Sequence, residues 1–410
     1  MHLQTRKSRN NYAAAFFFLL AFMLIAIAFL QSCDNRCMTS KLLLRQNQEK
    51  IEAAKISNSS RDCNLFSGNW VFDNVSYPLY KERACSFMTD EHACLKFGRK
   101  DVGYQKWRWQ PHHCHLPRFN GTTLLERIRG KRIVFVGDSL NRNQWASLLC
   151  LIEPSLNQSS PKLVIKKGNS LIFEAIEYEA TIEFYWSPFL VESNCDDPFH
   201  HTNLQNRTIK IMAIEKHASQ WRDADFVVFD SYAWWLDPNI TLLWESVGSS
   251  DPIYKRVSQL PSYEMALNKW SQWLEININR TKTKLFFMGP SPRHTSKDER
   301  GDVVAMCHDK IEPILKVGEQ GIGIDRDMMH VANSVVKKMK TRGINIEYLN
   351  ISHMSNYRLD AHPSIYRKFF HPLSKGRLAN PKNYADCLHW CLPGLPDVWN
   401  EILYTYIIRS

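Results

Sequence analysis

The chain has 410 residues, 44% hydrophobic and 12% aromatic, enough apolar surface for a sizeable core, which excludes a disordered or low-complexity protein. Lys and Arg outnumber Asp and Glu by 52 to 41, a net charge of +11, or +8 once Arg6, Lys7 and Arg9 are set aside. That excess alone would suit nucleic acid, but the compartment read below removes that partner and leaves a mildly basic surface facing glycans.

Residues 1–11 form a short basic tail, and Tyr12 to Leu30 follow without a charge. That stretch is long enough to cross a bilayer core of about 30 Å as a helix. It exceeds the ~7–15 apolar residues of a cleaved signal, so 12–30 reads as an uncleaved signal anchor. The basic tail stays cytosolic and the rest is luminal, a type II membrane topology. Residues 31–62 are polar and charged, a stem between membrane and domain. Eight Asn-x-Ser/Thr sequons, at Asn58, Asn74, Asn120, Asn157, Asn206, Asn239, Asn279 and Asn350, are candidate glycosylation sites of a secretory-pathway protein. Eleven cysteines agree with an oxidising lumen. Cys33 and Cys37 abut the predicted anchor; in the body Cys63, Cys85, Cys94, Cys114, Cys150, Cys307, Cys387 and Cys391 are the disulfide candidates. With Cys195 the body has an odd number, so at least one is left over, and the spacing does not fix connectivity.

The folded luminal body is expected over 63–410. From Cys63 to about residue 129, dense Cys, Trp and Gly without a long periodic run predict a loop-rich N-terminal subdomain stapled by disulfides. From 130 the pattern becomes α/β. Ile133-Val134-Phe135-Val136 is an apolar strand, followed by Gly137-Asp138-Ser139 and an amphipathic helix carrying Trp145, Leu148, Leu149 and Ile152. Similar runs recur at 225–230, 284–289 and 344–349, with helices around Met265–Glu275 and Asp327–Lys340. Continuous apolar strands alternating with helices predict a parallel sheet covered on both faces. Leu171–Tyr185 alternates like exposed antiparallel strands and reads as a hairpin insertion. A last helix places Val398, Ile402 and Tyr406 on one face.

Two short motifs carry the chemistry. Ser139 falls just past the carboxyl end of a strand, on the turn into a helix, where sites form in such sheets and where helix N–H groups can meet an oxyanion. A serine hydroxyl needs a base to become a nucleophile. Asp386-Cys387-Leu388-His389 supplies one: three apart on a helical turn, Asp386 can orient the ring of His389 while the ring takes the serine proton. Cys387 and Cys391 are placed to bolt that turn. Taken singly, Ser139 could be an ordinary helix cap and Asp386/His389 a surface pair; together they define an acyl-transfer triad.

Gly137-Asp138-Ser139-Leu140-Asn141-Arg142-Asn143-Gln144-Trp145 and Asp386-Cys387-Leu388-His389-Trp390-Cys391-Leu392-Pro393-Gly394 resemble the plant trichome birefringence-like family of wall-polysaccharide O-acetyltransferases. So do the stretches 63–71 and 104–111 and the run Ser231-Tyr232-Ala233-Trp234-Trp235. The resemblance implies a Golgi type II enzyme with an SGNH-hydrolase-like α/β fold, whose serine takes an acetyl group and passes it to a sugar hydroxyl. It implies Ser139, Asp386 and His389 as the triad, Gly137, Asp138 and Arg142 at the acyl site, and no bound cofactor. The acetyl donor, acetyl-CoA or another acetylated carrier, is then a substrate, and the acceptor is a wall polysaccharide, nearest to xylan. Asp230 departs from the Asn of the family pattern. Exposed indoles suit sugar faces, which makes Trp107, Trp109, Trp234, Trp235 and Trp390 candidate substrate contacts.

Other readings are weaker. His112, His113, Cys114 and His115 are too close in sequence for a tetrahedral zinc set, so no metal is expected. Asp325-Arg326-Asp327 resembles a glycosyltransferase metal motif but sits where a helix cap belongs. Asp360-Ala361-His362-Pro363 is a second Asp/His candidate, ranked behind His389 because Pro363 holds His362 extended. An esterase using the same triad and a noncatalytic glycan-binding protein are the competing functions.

Overall fold

The apolar runs predicted as strands pair in parallel at the centre of the molecule. The computed structural model describes residues 63–159, 161–198, 206–236, 240–244, 253–297, 303–314, 323–369 and 372–409. The predicted tail, anchor and stem, Cys33, Cys37, and the sequons at Asn58 and Asn239 lie outside them. Among the described residues no helix is long and apolar enough to cross a membrane. In chain order the strands are β1 (Gly68–Phe72), β2 (Trp107–Pro111), β3 (Arg132–Gly137), β4 (Val164–Lys167), β5 (Ser170–Ala175), β6 (Ala180–Trp186) and β7 (Arg207–Lys210). They continue with β8 (Phe226–Asp230), β9 (Ile240–Trp244), β10 (Ile253–Arg256), β11 (Lys284–Met288), β12 (Thr295–Lys297), β13 (Val303–Ala305) and β14 (Ile346–Leu349). The longer helices are α1 (Gly121–Arg127), α2 (Ser139–Ile152), α3 (Gln259–Asn277), α4 (Arg326–Thr341) and α5 (Leu395–Arg409).

The central sheet has seven strands in the order β14-β11-β8-β3-β6-β5-β4. β14, β11, β8, β3 and β6 run parallel; β5 and β4 add an antiparallel edge. The sheet is therefore mixed. Leu171–Tyr185 is not an insertion, because β6 pairs with β3 from Arg132 to Gly137 and is almost wholly buried. The polar alternation belongs to β5, whose outer neighbour β4 is exposed.

Alternation along the parallel strands divides the core between the two faces. Val134, Val136, Val227, Phe229, Leu285 and Phe287 pack with Trp270 and Leu274 of α3 and Val335 and Met339 of α4. On the other face Phe286 meets Tyr406 of α5 at 6.1 Å between ring centroids, and Phe184 meets Trp145 of α2 at 6.3 Å. Helices thus cover both faces. α2 is buried nearly all round rather than amphipathic, since it lies between the sheet, α5 and the N-terminal layer.

The N-terminal layer consists of the β1–β2 ribbon, in which Trp70 opposes Trp109, with short turns around it. Three disulfides tie distant segments together: Cys85–Cys150 anchors the layer to α2, Cys94–Cys391 anchors it to the C-terminal loop, and Cys307–Cys387 frames that loop from the other side. Cys63 and Cys114 are disulfide-bonded as well. The buried thiol of Cys195 faces the Asn194 amide oxygen at 3.4 Å.

Candidate active site

Ser139 is the first residue of α2, one step beyond β3 and the Asp138 cap. Gly137 is required there because its backbone passes so close to the Asp230 carbonyl of β8 that a Cβ would collide with it. The Asp138 side chain accepts from the Leu140 N–H at 2.9 Å, the N-cap bond that fixes the first turn.

His389 approaches from a loop 250 residues further along. Its Nε2 lies 2.7 Å from Ser139 Oγ and its Nδ1 2.8 Å from Asp386 Oδ2. The segment is a bend rather than the helical turn the three-residue spacing suggests. Asp386 Oδ1 accepts from the N–H groups of Leu388 and His389, both at 3.0 Å, and this local ring brings the imidazole over its own carboxylate. Burial alone would raise the Asp386 carboxyl. The His389 charge and hydrogen bond, with Arg367 at 3.3 Å, outweigh it and hold the group well below the ordinary carboxylate range.

The loop is fixed from three sides. Asn143 of α2 accepts the Trp390 N–H at 2.9 Å. His362 Nδ1 donates to the His389 carbonyl at 2.7 Å, and its ring stacks on Trp390 with centroids 3.8 Å apart. His362 also meets His294, 2.6 Å from Nε2 to Nδ1. The second Asp/His candidate is accordingly a prop behind the first: His362 is buried, and Asp360 is engaged by Arg358 at 2.9 Å.

Arg142 lies one turn into α2 and pairs with Glu91 of the N-terminal layer at 3.2 Å, while its buried Nε has no hydrogen-bond partner among the described residues. The layer also brings His92 close, its ring centroid 6.3 Å from that of His389. Burial, then the charges of His389 and Arg142, push the His92 imidazole well below its usual range, which keeps it neutral. Glu91, His92 and Arg367 carry no sequence signal of their own, since each reaches the site from outside both motifs; Asn143 lies within the first motif, but its role appears only when the second meets it. Asp138 cannot serve an oxyanion, because its own carboxylate is turned toward the helix N–H groups.

Three candidate sugar contacts are corrected. Trp109, Trp235 and Trp390 are 3%, 0% and 0% exposed. Their indole N–H groups bind Leu65 O, Ser231 Oγ and Ser291 Oγ, so these rings are core. Trp107 and Trp234 are half-buried. Trp234 adjoins Ala233, whose N–H reaches Asp138, and the Arg207 guanidinium lies 4.3 Å from its ring centroid.

Asn74, Asn120, Asn157, Asn206 and Asn279 are exposed. Asn350 is half-buried with its Oδ1 enclosed, and its sequon partner Ser352 is buried and bonded to Pro290 O. Cys114 is disulfide-bonded and so unavailable to the His112–His115 cluster as a ligand. Asp325 caps α4, accepting from Asp327 and Met328.

A serine, histidine and aspartate in hydrogen-bonded sequence, at the carboxyl end of a parallel strand, are the apparatus of serine-based acyl transfer. The model of the GDSL/SGNH-like acyl-esterase family found in Pmr5 and Cas1p, PC-Esterase, matches residues 116–406, and the Pmr5 N-terminal domain matches residues 61–115. The chain belongs to the PC-Esterase family. It is 52% identical to trichome birefringence-like protein 34 of Arabidopsis thaliana, over 85% of this chain and 86% of that one. It is 47% identical to xylan O-acetyltransferase 13 of Oryza sativa subsp. japonica, over 85% and 70% of the two chains. It is also 40% identical to trichome birefringence-like protein 31 of Arabidopsis thaliana, over 93% and 90%.

Proposed function

We propose that this chain is a polysaccharide O-acetyltransferase that acetylates hydroxyls of a plant wall polymer, xylan, by double displacement through acetyl-Ser139. The observation carrying the reading is the continuous hydrogen-bonded line Ser139, His389, Asp386 in a chain closely similar to named xylan O-acetyltransferases. His389 Nε2 takes the Ser139 proton as Oγ attacks the acetyl carbonyl of the donor, and Asp386 stabilises the resulting imidazolium. The start of α2 and the Arg142 side chain face the developing oxyanion. His389 then protonates the departing donor group. In the second half it removes the proton of a sugar hydroxyl, which attacks the acetyl-serine and frees Ser139.

Water and a sugar compete for the same acetyl-enzyme, so transfer requires the site to position the sugar and exclude water. Trp234, half-buried and next in sequence to Ala233, is the indole we assign to seating a sugar ring. The donor is acetyl-CoA or another acetylated carrier, used as a substrate, and no bound cofactor is required. The apolar stretch 12–30, the sequons and the luminal disulfides support a single-pass type II protein of the Golgi membrane.

The test incubates the luminal chain with an isotopically labelled acetyl donor and deacetylated xylan oligosaccharides and follows the label by mass spectrometry. Label on sugar that disappears with Ser139→Ala is the expected result. Release of acetate from acetylated xylan without acceptor labelling would make the protein an esterase, and no turnover of any acetylated compound would make it a binding protein.

A further inference from the structure

Asp138 and Asp230 end neighbouring parallel strands. Gly137 is the register partner of Asp230, and Asp138 is the next residue. Both carboxyl groups are enclosed, at 0% and 2% exposure. Asp138 Oδ1 accepts the Leu140 N–H, whereas among the described residues Asp138 Oδ2 and Asp230 Oδ1 have no hydrogen-bond partner. Among the described residues neither forms a salt bridge within 4.0 Å. Two carboxylates buried at the ends of neighbouring strands cannot both ionise without a large cost, so one of them keeps a proton.

We propose that Asp138 and Asp230 share one proton beneath Ser139, and that protonated Asp230 is a positioning residue which holds the capping carboxylate of the nucleophile helix. The inference rests on Ser139 being the nucleophile only for its effect on rate.

The environment decides which partner keeps the proton. Asp138 accepts the Leu140 N–H at the N-terminus of α2, and the nearby N–H groups of Ala233 and Asn141 also favour its ionised form. Burial raises it only to about 6. For Asp230, burial and then the Asp138 charge act together, and the group stays well above the carboxylate range. The groups facing the pair are His389 from the C-terminal loop, which lowers Asp138, and Tyr263 of α3 and Tyr348 of β14, which feel the Asp230 charge. Both phenols are raised by burial and remain neutral, so neither adds a charge to the pair. Loss of the shared proton would set two adjacent negative charges under the helix that carries Ser139.

Asp230→Asn is the test, because an amide donates to Asp138 at every pH; Asp230→Leu is its apolar control. Acetyl transfer by the wild type should fall as pH rises above neutral. Asp230→Asn should keep the neutral-pH rate within about threefold and lose that alkaline decline, whereas Asp230→Leu should drop at least tenfold in kcat with little change in KM. The readout independent of catalysis is the infrared difference spectrum between wild type and Asp230→Asn at neutral pH, which should show one protonated-carboxyl band. Absence of that band overturns the proposal even if both variants are active. If the band is present but Ser139→Ala retains full activity, the dyad stands and the nucleophile assignment falls. An unchanged alkaline limb in active Asp230→Asn also overturns it.

Discussion

The contact between His389 and Asp386 decides what Ser139 can do. An imidazole needs a proton on Nδ1 to present a bare Nε2 to serine, and a carboxylate at 2.8 Å fixes that tautomer. Asp386→Asn should leave the fold intact, because its Oδ1 bonds to the Leu388 and His389 N–H groups can be kept by an amide oxygen. Turnover should nevertheless fall by roughly 10³-fold or more, since the amide nitrogen would face Nδ1 and favour the wrong tautomer. Near wild-type turnover, with unchanged circular dichroism, would remove Asp386 from the triad. The three triad residues were readable in the sequence because each sits in a local motif. Glu91, His92 and Arg367 were not, because their roles exist only once separate segments meet at Arg142, His389 and Asp386.

α5 shows how an element can be placed correctly and its chemistry missed. Its apolar positions were legible, but Asp397 and Glu401 are also buried within it. Tyr80 and Ser147 donate to Asp397 Oδ1 at 3.0 and 2.6 Å, and Tyr77 donates to Glu401 at 2.7 Å. A helix read by periodicity would have put these acids on its wet side; the N-terminal layer covers that side. Burial pushes both carboxyls up to about 7. In the unfolded chain they titrate near 4, so between about pH 4 and 7 the folded state binds more protons and stability falls as pH rises. The neutral forms give their full stability below the unfolded values and lose it through the folded ones. Melting temperature should accordingly decline from pH 5 to pH 7.5, and the double variant Asp397→Asn/Glu401→Gln should flatten that slope. An equally steep slope in the variant would show that other groups set it. The strands were equally legible wherever they are buried on both faces. In the 171–185 region the antiparallel hairpin was legible but its place in the central sheet was not, because one buried strand and one half-exposed strand stand side by side and a single alternating pattern was read across both.

At the scale of the whole molecule, the catalytic loop depends on covalent ties that spacing could not assign. Cys387 and Cys391 flank Leu388-His389-Trp390, and each is bonded to a different remote segment, Cys307 and Cys94. The Cys94–Cys391 bond closes a sequence separation of 297 residues, and in the chain-entropy model such a loop contributes about 5–6 kcal/mol by restricting the unfolded state. In a domain of this size that corresponds to roughly 8 °C in melting temperature. The same bond holds the Glu91–His92 segment beside Arg142 and His389, so its loss should affect the site as well as the fold. Cys94→Ser/Cys391→Ser is expected to melt at least several degrees lower. At a temperature where it remains folded, it should lose a larger fraction of kcat than a Cys85→Ser/Cys150→Ser variant, whose bond lies at the far end of α2. Equal losses of kcat in the two variants would mean that the Asn143 and His362 bonds hold the loop without the disulfide. The triad would then be positioned by the α/β core alone, with the N-terminal layer serving only as its cover.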